Sequence, residues 1–200
     1  MLQKFSKEIF SDPDVHHMSI PEFVAEHMAN RLNNYDSAVE LCSGVGMLCV
    51  ILAKQINHVT GIDINADRIN MSQKNAELYG VSKKTGFVLG DVLAPELLKK
   101  QSAEVVILDP DWREGGPKGE FPPLLEKTNP SSKTLFDLAK RWIAPNIVIR
   151  APKTIPVDEF NKYGACEIEN VIWDGSLKFK IAYYTPNMEQ TIEKEVVFEG

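Results

Sequence analysis

Three acidic residues and two glycines stand at the ends of apolar runs in the first half of this 200-residue chain. Ala38-Val-Glu-Leu-Cys-Ser-Gly-Val-Gly46 reads as a strand entering a glycine-bearing turn, with the helical Met47–Gln55 behind it. Gly44 and Gly46 lack a Cβ, so the backbone there turns tightly and a ligand can approach it closely. The helix start behind them offers unpaired amides. A dinucleotide site would want a third glycine three residues after Gly46, and Cys49 stands there instead, which argues against a pyrophosphate. Glu40 lies inside the strand end, where an acid is awkward without a cation. The α-ammonium of a sulfonium ligand would supply one; a neighbouring basic side chain is the alternative. His58–Asp63 ends in a carboxylate nineteen residues after Gly44. An acid at the second strand tip accepts both hydroxyl hydrogens of a ribose, the alternative being an ordinary acid at the start of the next helix. The third run ends Val88-Leu-Gly-Asp91-Val92. Asp91 would accept the exocyclic amine of an adenine there, with Ile64 and Val92 closing on the ring faces. Together with Cys42, Ser43 and Gly90, these residues describe an adenosine pocket with no phosphate to bind, and the expected cofactor is S-adenosylmethionine.

The fourth run ends Leu108-Asp-Pro-Asp-Trp112. This resembles the D/N/S-P-P-Y/F/W turn of Rossmann-like methyltransferases that act on exocyclic amines. A ring-bound amino group has a delocalised lone pair and attacks poorly. A side-chain oxygen and a backbone carbonyl that accept its two hydrogens favour a pyramidal nitrogen, and an aromatic ring holds the base in line. Asp109 and the Pro110 carbonyl would be those acceptors, and Trp112 the stacking platform. Asp111 replaces the usual second proline; it would bind a base-edge donor, accept a proton or repel a phosphate. A helix-capping loop is the alternative reading, since Asp-Pro commonly starts a turn. No metal or covalent nucleophile is required. His16, His17 and His27 have no cysteine or acidic spacing that completes a metal site.

The elements that would position these residues follow from periodicity. Strand-length apolar runs occur at 38–42, 58–63, 85–90, 103–109, 146–150, 165–173 and 177–184. Helical stretches lie near 46–56, 66–80, 93–100, 132–142 and 155–162. Alternation of this kind means βαβ crossovers and a parallel sheet covered on both faces. The last two strands are joined only by Asp174-Gly175-Ser176, which predicts an antiparallel hairpin at one edge. The expected fold is therefore α/β and Rossmann-like, a seven-stranded mostly parallel sheet with a C-terminal antiparallel hairpin. Residues 1–36 read as an N-terminal helical segment, 37–186 as the Rossmann-like domain and 187–200 as a polar tail, whose Glu195-Val-Val-Phe198 is either a short strand or disordered. Ser19 and Glu22 are spaced as a capping box for a helix carrying Phe23, Val24, Met28 and Leu32.

The composition, 44% hydrophobic and 25% charged, is that of an ordinary globular domain. Three cysteines without a CxxC spacing exclude a disulfide scaffold or zinc ribbon and point to a reducing compartment, with the cytoplasm expected. The first ten residues lack a signal-peptide core, and no run of about 20 apolar residues occurs. The net charge of −6 opposes generic polyanion binding. Its distribution is uneven: −5 over 1–111, +4 over 112–153 and −5 over 154–200. Arg113, Lys118, Lys127, Lys133, Arg141, Arg150 and Lys153 make the central window basic, either by scatter or as a patch for an anionic substrate.

Over approximately Ser19 to Pro186 the chain resembles the trimethylguanosine synthase family, the RNA cap guanine-N2 methyltransferases. Ser19-Ile-Pro-Glu22 and Ala25-Glu-His27 look like its helix entry, and Ser43-Gly-Val-Gly46 resembles its C-G-V-G loop. Gly61-Ile-Asp-Ile-Asn65 and Lys74-Asn-Ala-Glu-Leu-Tyr-Gly80 are close to two further family segments. Asp109-Pro-Asp-Trp-Arg-Glu-Gly-Gly-Pro117 stands where the family has S-P-P-W-G-G-P. The resemblance implies S-adenosylmethionine held by Glu40, Gly44, Asp63 and Asp91, and a guanine stacked on Trp112 and methylated at N2. Arg113, Lys118 and Arg150 would then meet RNA phosphates. The departures at Asp109, Asp111 and the inserted Arg113-Glu114 leave two other readings open. One is methyl transfer to a small-molecule or protein amide; the other is a non-catalytic relative that binds the cofactor.

Overall fold

The computed structural model describes residues 2–112 and 121–199. Its centre is a parallel sheet built from β1 (Ser37–Leu41), β2 (His58–Asp63), β3 (Thr85–Leu89), β4 (Val105–Leu108) and β5 (Asn146–Pro152). The helices between them are α3 (Met47–Leu52), α4 (Ala66–Tyr79), α5 (Pro95–Leu98) and α6 (Ser132–Trp142), with α7 (Val157–Asn161) after β5. β6 (Glu167–Trp173), β7 (Ser176–Tyr184) and β8 (Ile192–Phe198) complete an eight-stranded sheet in the order β3-β2-β1-β4-β5-β7-β6-β8. Strand order reverses between β1 and β4, so the carboxyl tips of β1, β2, β3 and β4 open on one crevice.

Side chains alternate across the central strands. Val39, Leu41, Val106, Leu108, Ile147 and Ile149 face a core shared with Leu135, Phe136 and Phe160. Ala38, Val105, Ile107 and Val148 face the other, where α3 and α2 (Glu22–Arg31) pack through Val24, Ala25, Met28, Leu48 and Ile51. Both faces of β1, β4 and β5 are thus dry, as their near-continuous apolarity predicts.

Three expectations need correction. The hairpin does not end the sheet: β7 inserts antiparallel between β5 and β6, and β8 adds outside β6, parallel to it. The polar tail therefore holds an eighth strand. Its alternation explains this, because Phe198 packs on Phe23 at 5.0 Å between ring centres while Lys194 reaches the carboxylates of Glu167 and Glu169. The Ser19–Glu22 capping box also does not form. Ser19 closes a short helix, α1 (Pro13–Met18), its hydroxyl donating to the Val15 carbonyl at 2.7 Å. α2 instead begins after Pro21. Glu22 accepts from Ser6 N and Oγ at 2.6 and 2.9 Å and from Tyr79 OH at 3.0 Å, tertiary partners that replace the local cap.

A second corner lies beneath α2. The carboxylate of Glu169, fully buried on β6, accepts from His27 at 3.0 Å, Arg31 at 2.7 Å and Tyr183 OH at 3.0 Å. Burial pushes this carboxyl up, but those three partners hold it below its ordinary range. Arg31 and Lys194 hold the adjacent Glu167 down to about 2. His27 is therefore a structural partner that fastens α2 to the sheet. Among the described residues, no helix is long and apolar enough to cross a membrane.

Candidate active site at the strand tips

The glycine turn leaves β1 through three left-handed residues, Cys42, Gly44 and Gly46, at φ of 68°, 54° and 73°. Gly46 is required twice over. Its φ suits glycine, and a Cβ there would sit 2.7 Å from the Phe87 ring and 2.8 Å from Ser72 Cβ. Asp63 ties the turn to the β2 tip: one carboxylate oxygen accepts Gly44 N–H at 2.8 Å and the other Asn65 N–H at 2.9 Å. The far side is held by two buried polar residues of α4. Ser72 Oγ donates to the Gly44 carbonyl at 3.1 Å, and Asn75 Nδ2 to the Val45 carbonyl at 2.9 Å. Sequence reasoning passed over both; their signal was a Ser and an Asn three residues apart on an otherwise apolar helix face. Val15 of α1 packs over the turn, 3.5 Å from where a Gly44 Cβ would be.

Glu40 is the most altered acid. It is only 2% exposed, and one of its oxygens accepts the Cys49 thiol at 2.8 Å and the Cys49 N–H at 3.2 Å. Burial, with Asp109 adding repulsion, pushes its carboxyl up to about 8. Glu40 thus lies under the turn with a partner of its own. Cysteine at position 49 fits for the same reason: its thiol and amide serve the buried acid.

At the neighbouring tips Asp91 is exposed and accepts Leu93 N–H at 2.8 Å, while Gly90 N–H donates to the Asp63 carbonyl at 3.0 Å. Val92 does not line this rim; it packs downward into the core with Leu98. The apolar side chains that do stand at the rim are Ile64, 71% exposed, with Leu89 and Leu93. A solvent-facing isoleucine beside two carboxylates suits the face of a heteroaromatic ring. Within the turn, Ser43 Oγ is buried and has no hydrogen-bond partner. An orphan hydroxyl, glycine turn, acidic tips and apolar rim together fit a polar, uncharged-sugar nucleoside ligand.

The acceptor motif lies beside the turn, since Asp109 N–H donates to the Leu41 carbonyl at 3.2 Å. Asp109 Oδ1 receives Arg150 Nε at 2.7 Å, with both side chains under 10% exposed. Burial pushes the Asp109 carboxyl up, and Arg150 opposes that shift. Asp111 exchanges backbone hydrogen bonds with Asn129 at 3.0 and 2.8 Å, which pins the turn to the segment entering α6. Trp112 is half-buried against Phe179, 5.7 Å between ring centres, and its indole N–H donates to the Arg150 carbonyl at 3.1 Å.

Among the described residues, the basic window does not gather into one rim. Arg150, expected to meet phosphate, is buried in the Asp109 pair. Arg141 lies over Trp142, where α6 ends before the entry of β5, at the opposite end of the sheet from the strand tips. Lys133 pairs with Asp137 on α6. Lys153 is exposed just past β5, and Arg113 and Lys118 lie outside the described residues. Among the described residues, no group of three or more His, Cys, Asp or Glu is placed to hold a metal ion.

Comparison with known proteins follows the same lines. The trimethylguanosine synthase of Saccharomyces cerevisiae is 22% identical over 191 residues, covering 86% of this chain and 60% of the yeast protein. The release factor glutamine methyltransferase of Chlorobaculum tepidum is 25% identical over 169 residues, covering 76% of this chain and 56% of that protein. The chain thus spans less than two thirds of the length of either relative. Among solved structures, M. capricolum TrmK in complex with S-adenosyl-homocysteine superposes with a TM-score of 0.57 at 14% identity, covering 89% of this chain and 72% of that one. The fold is that of the methyltransferases whose cofactor is S-adenosylmethionine. The sequence profile of the RNA cap guanine-N2 methyltransferases matches residues 35–187, most of the chain and every strand tip described above, and the chain belongs to that family.

Proposed function

We propose that this chain is an S-adenosylmethionine-dependent N-methyltransferase acting on the exocyclic N2 of a guanine in RNA. The observation that carries this reading is the seat of Asp109-Pro110-Asp111-Trp112 beside the glycine turn, with Asp109 hydrogen-bonded through its backbone to the end of β1. S-adenosylmethionine supplies an electrophilic methyl group on a sulfonium, so the protein need only bind, orient and exclude water. Gly44, Gly46, Cys42 and Ser43 form the turn that admits the cofactor. Asp63 takes the ribose hydroxyls on its remaining lone pairs, and Glu40, protonated in the ligand-free chain, releases its proton to solvent to answer the ammonium from beneath. Asp91, Gly90 and Ile64 receive the adenine. Asp109 and the Pro110 carbonyl accept the two amine hydrogens, so the nitrogen lone pair is directed at the methyl group. Trp112 holds the base plane, and Asp111 accepts a base-edge donor. Arg113 and Lys118, by residue type, are the candidates for backbone phosphates. Family membership supports the guanine.

A second reading, methyl transfer to an amide, is favoured by one observation. Among the described residues, Arg150 is buried in its pair with Asp109 and Arg141 lies at the opposite end of the sheet from the strand tips, and the likeness to a release factor glutamine methyltransferase agrees. Thermal melting separates these readings from a chain that binds no cofactor. Cofactor at about 100 times its Kd stabilises a binder by about 2.7 kcal/mol, so an unshifted Tm at millimolar cofactor contradicts both. Labelled methyl groups offered to bulk RNA and to protein then decide between the acceptors, with Asp109→Ala as the inactive control.

A further inference from the structure

Register places Leu108 of β4 opposite Ile149 of β5, so Asp109 and Arg150 leave adjacent strand tips side by side. The Arg150 guanidinium meets Asp109, Met18, Trp112 and Phe179. Its Nε donates to Asp109 Oδ1 at 2.7 Å, and its Nη2 to the Met18 carbonyl of α1 at 3.2 Å. Its central carbon lies 4.6 Å from the Trp112 ring centre and 5.4 Å from that of Phe179. Its own carbonyl accepts the Trp112 indole N–H. A buried arginine with this many partners fixes the groups around it, because moving any one strands a charge or a donor.

We propose that Arg150 is the positioning residue of the acceptor site, holding Asp109 and Trp112 in one geometry and joining both to the N-terminal segment. This rests on the methyl-transfer reading above. With Oδ1 committed to Arg150, the other oxygen of Asp109 is the one that meets the acceptor amine. With the guanidinium against one face of Trp112, the acceptor ring lies on the opposite face. Arg150 also keeps Asp109 an acceptor. Burial and the neighbouring Asp111 push this carboxyl up and Arg150 from β5 opposes them, with Glu40 of β1 and Cys42 of the glycine turn also facing it among the described residues. Lys4 of the N-terminal segment faces Arg150 and is pushed down to about 8 by burial and by that charge. It donates to the carbonyls of His16 and His17 at the end of α1.

The test uses the full chain with Arg150→Met and Arg150→Lys. S-adenosylhomocysteine binding is measured by calorimetry, the Asp109 side chain is titrated by carboxyl carbon NMR, and methyl transfer to bulk RNA is followed against pH. A positioning role predicts cofactor affinity within about twofold of wild type and transfer down about 100-fold in Arg150→Met. The Asp109 titration and the acid limb of transfer both move to higher pH in that variant, and Arg150→Lys recovers part of each. An Asp109 titration unmoved by Arg150→Met overturns the proposal. If Arg150→Met does not fold, Arg150→Lys decides: transfer at the wild-type rate with an unmoved titration overturns it, and a raised titration with slowed transfer supports it. A wild-type chain that fails to bind S-adenosylhomocysteine refutes the underlying reading instead, and the Asp109 titration still tests whether Arg150 governs that carboxyl.

Discussion

The Cys49 thiol points at Glu40, Sγ to Oε2 2.8 Å, inside a core where neither side chain meets solvent. A position that would carry glycine in a dinucleotide site here carries the donor that satisfies a buried acid. The same oxygen also takes an amide from the first turn of α3. The floor of the candidate cofactor site is therefore a carboxyl that holds its proton at neutral pH.

That carboxyl makes stability depend on pH in a definite sense. Its folded pKa of about 8 lies above the value of an exposed glutamate. Its contribution is fully present below the unfolded pKa, about 4.3, and is lost as pH rises through 8. The ligand-free protein should thus lose on the order of 3–5 kcal/mol from this group between pH 5 and pH 9, at about 1.4 kcal/mol per pH unit. Glu40→Gln should remove that slope. Urea melts across pH check it, and a variant with the wild-type slope would assign the ionisation elsewhere.

Gly46→Ala should cost at least 2–3 kcal/mol, combining a left-handed φ with overlap against Phe87 and Ser72. Gly80→Ala, also left-handed at the end of α4 but with open space around it, should cost less. Chemical denaturation of the two variants gives the comparison directly. Equal losses would mean that packing at the glycine turn adds nothing to backbone strain.

Glu169→Gln should cost roughly 3–5 kcal/mol, the usual loss when one partner of a buried ion pair is removed. It leaves His27 without its buried carboxylate and Arg31 with Glu167 alone. The folded carboxyl is held below its ordinary range, so its contribution is present above the unfolded pKa and lost as pH falls through that value and below. The variant should accordingly show a flatter acid limb in thermal melts. Because α2 and β8 both dock here, its melting should be matched by early amide exchange in Glu22–Arg31 and Ile192–Phe198.

Trp112→Ala should leave S-adenosylhomocysteine affinity within about twofold and reduce methyl transfer by at least about 100-fold. Calorimetry and labelled transfer report the two quantities separately. Transfer that survives the substitution would remove the stacking role from this indole.

The central sheet was legible because its strands are apolar on both faces and its turns carry glycine and aspartate at the tips. Periodicity placed every helix from α3 to α7 near its observed span. β8 was legible in part: Glu195-Val-Val-Phe198 reads as a short strand or as disorder, and the pairing of Lys194 with Glu167 and of Phe198 with Phe23 shows why the strand forms and why it begins earlier, at Ile192. The acidic tips were legible as positions and less so as environments. Spacing put Glu40 at a strand end, but only packing reveals that Cys49 already serves it. Arg150 was misread for a related reason. A basic residue in a basic stretch suggests a phosphate contact, whereas strand register sets it beside Asp109. Ser72 and Asn75 stand out as polar residues on an apolar face of α4, but that pattern does not say that they hold the glycine turn.

The most direct test is to give the purified chain bulk RNA and methyl-labelled S-adenosylmethionine, then digest the RNA to nucleosides and identify the labelled species. Methyl transfer to the guanine exocyclic amine predicts label in N2-methylguanosine, absent with Asp109→Ala. Label in any other nucleoside, or label confined to protein while RNA stays unmarked, would contradict it.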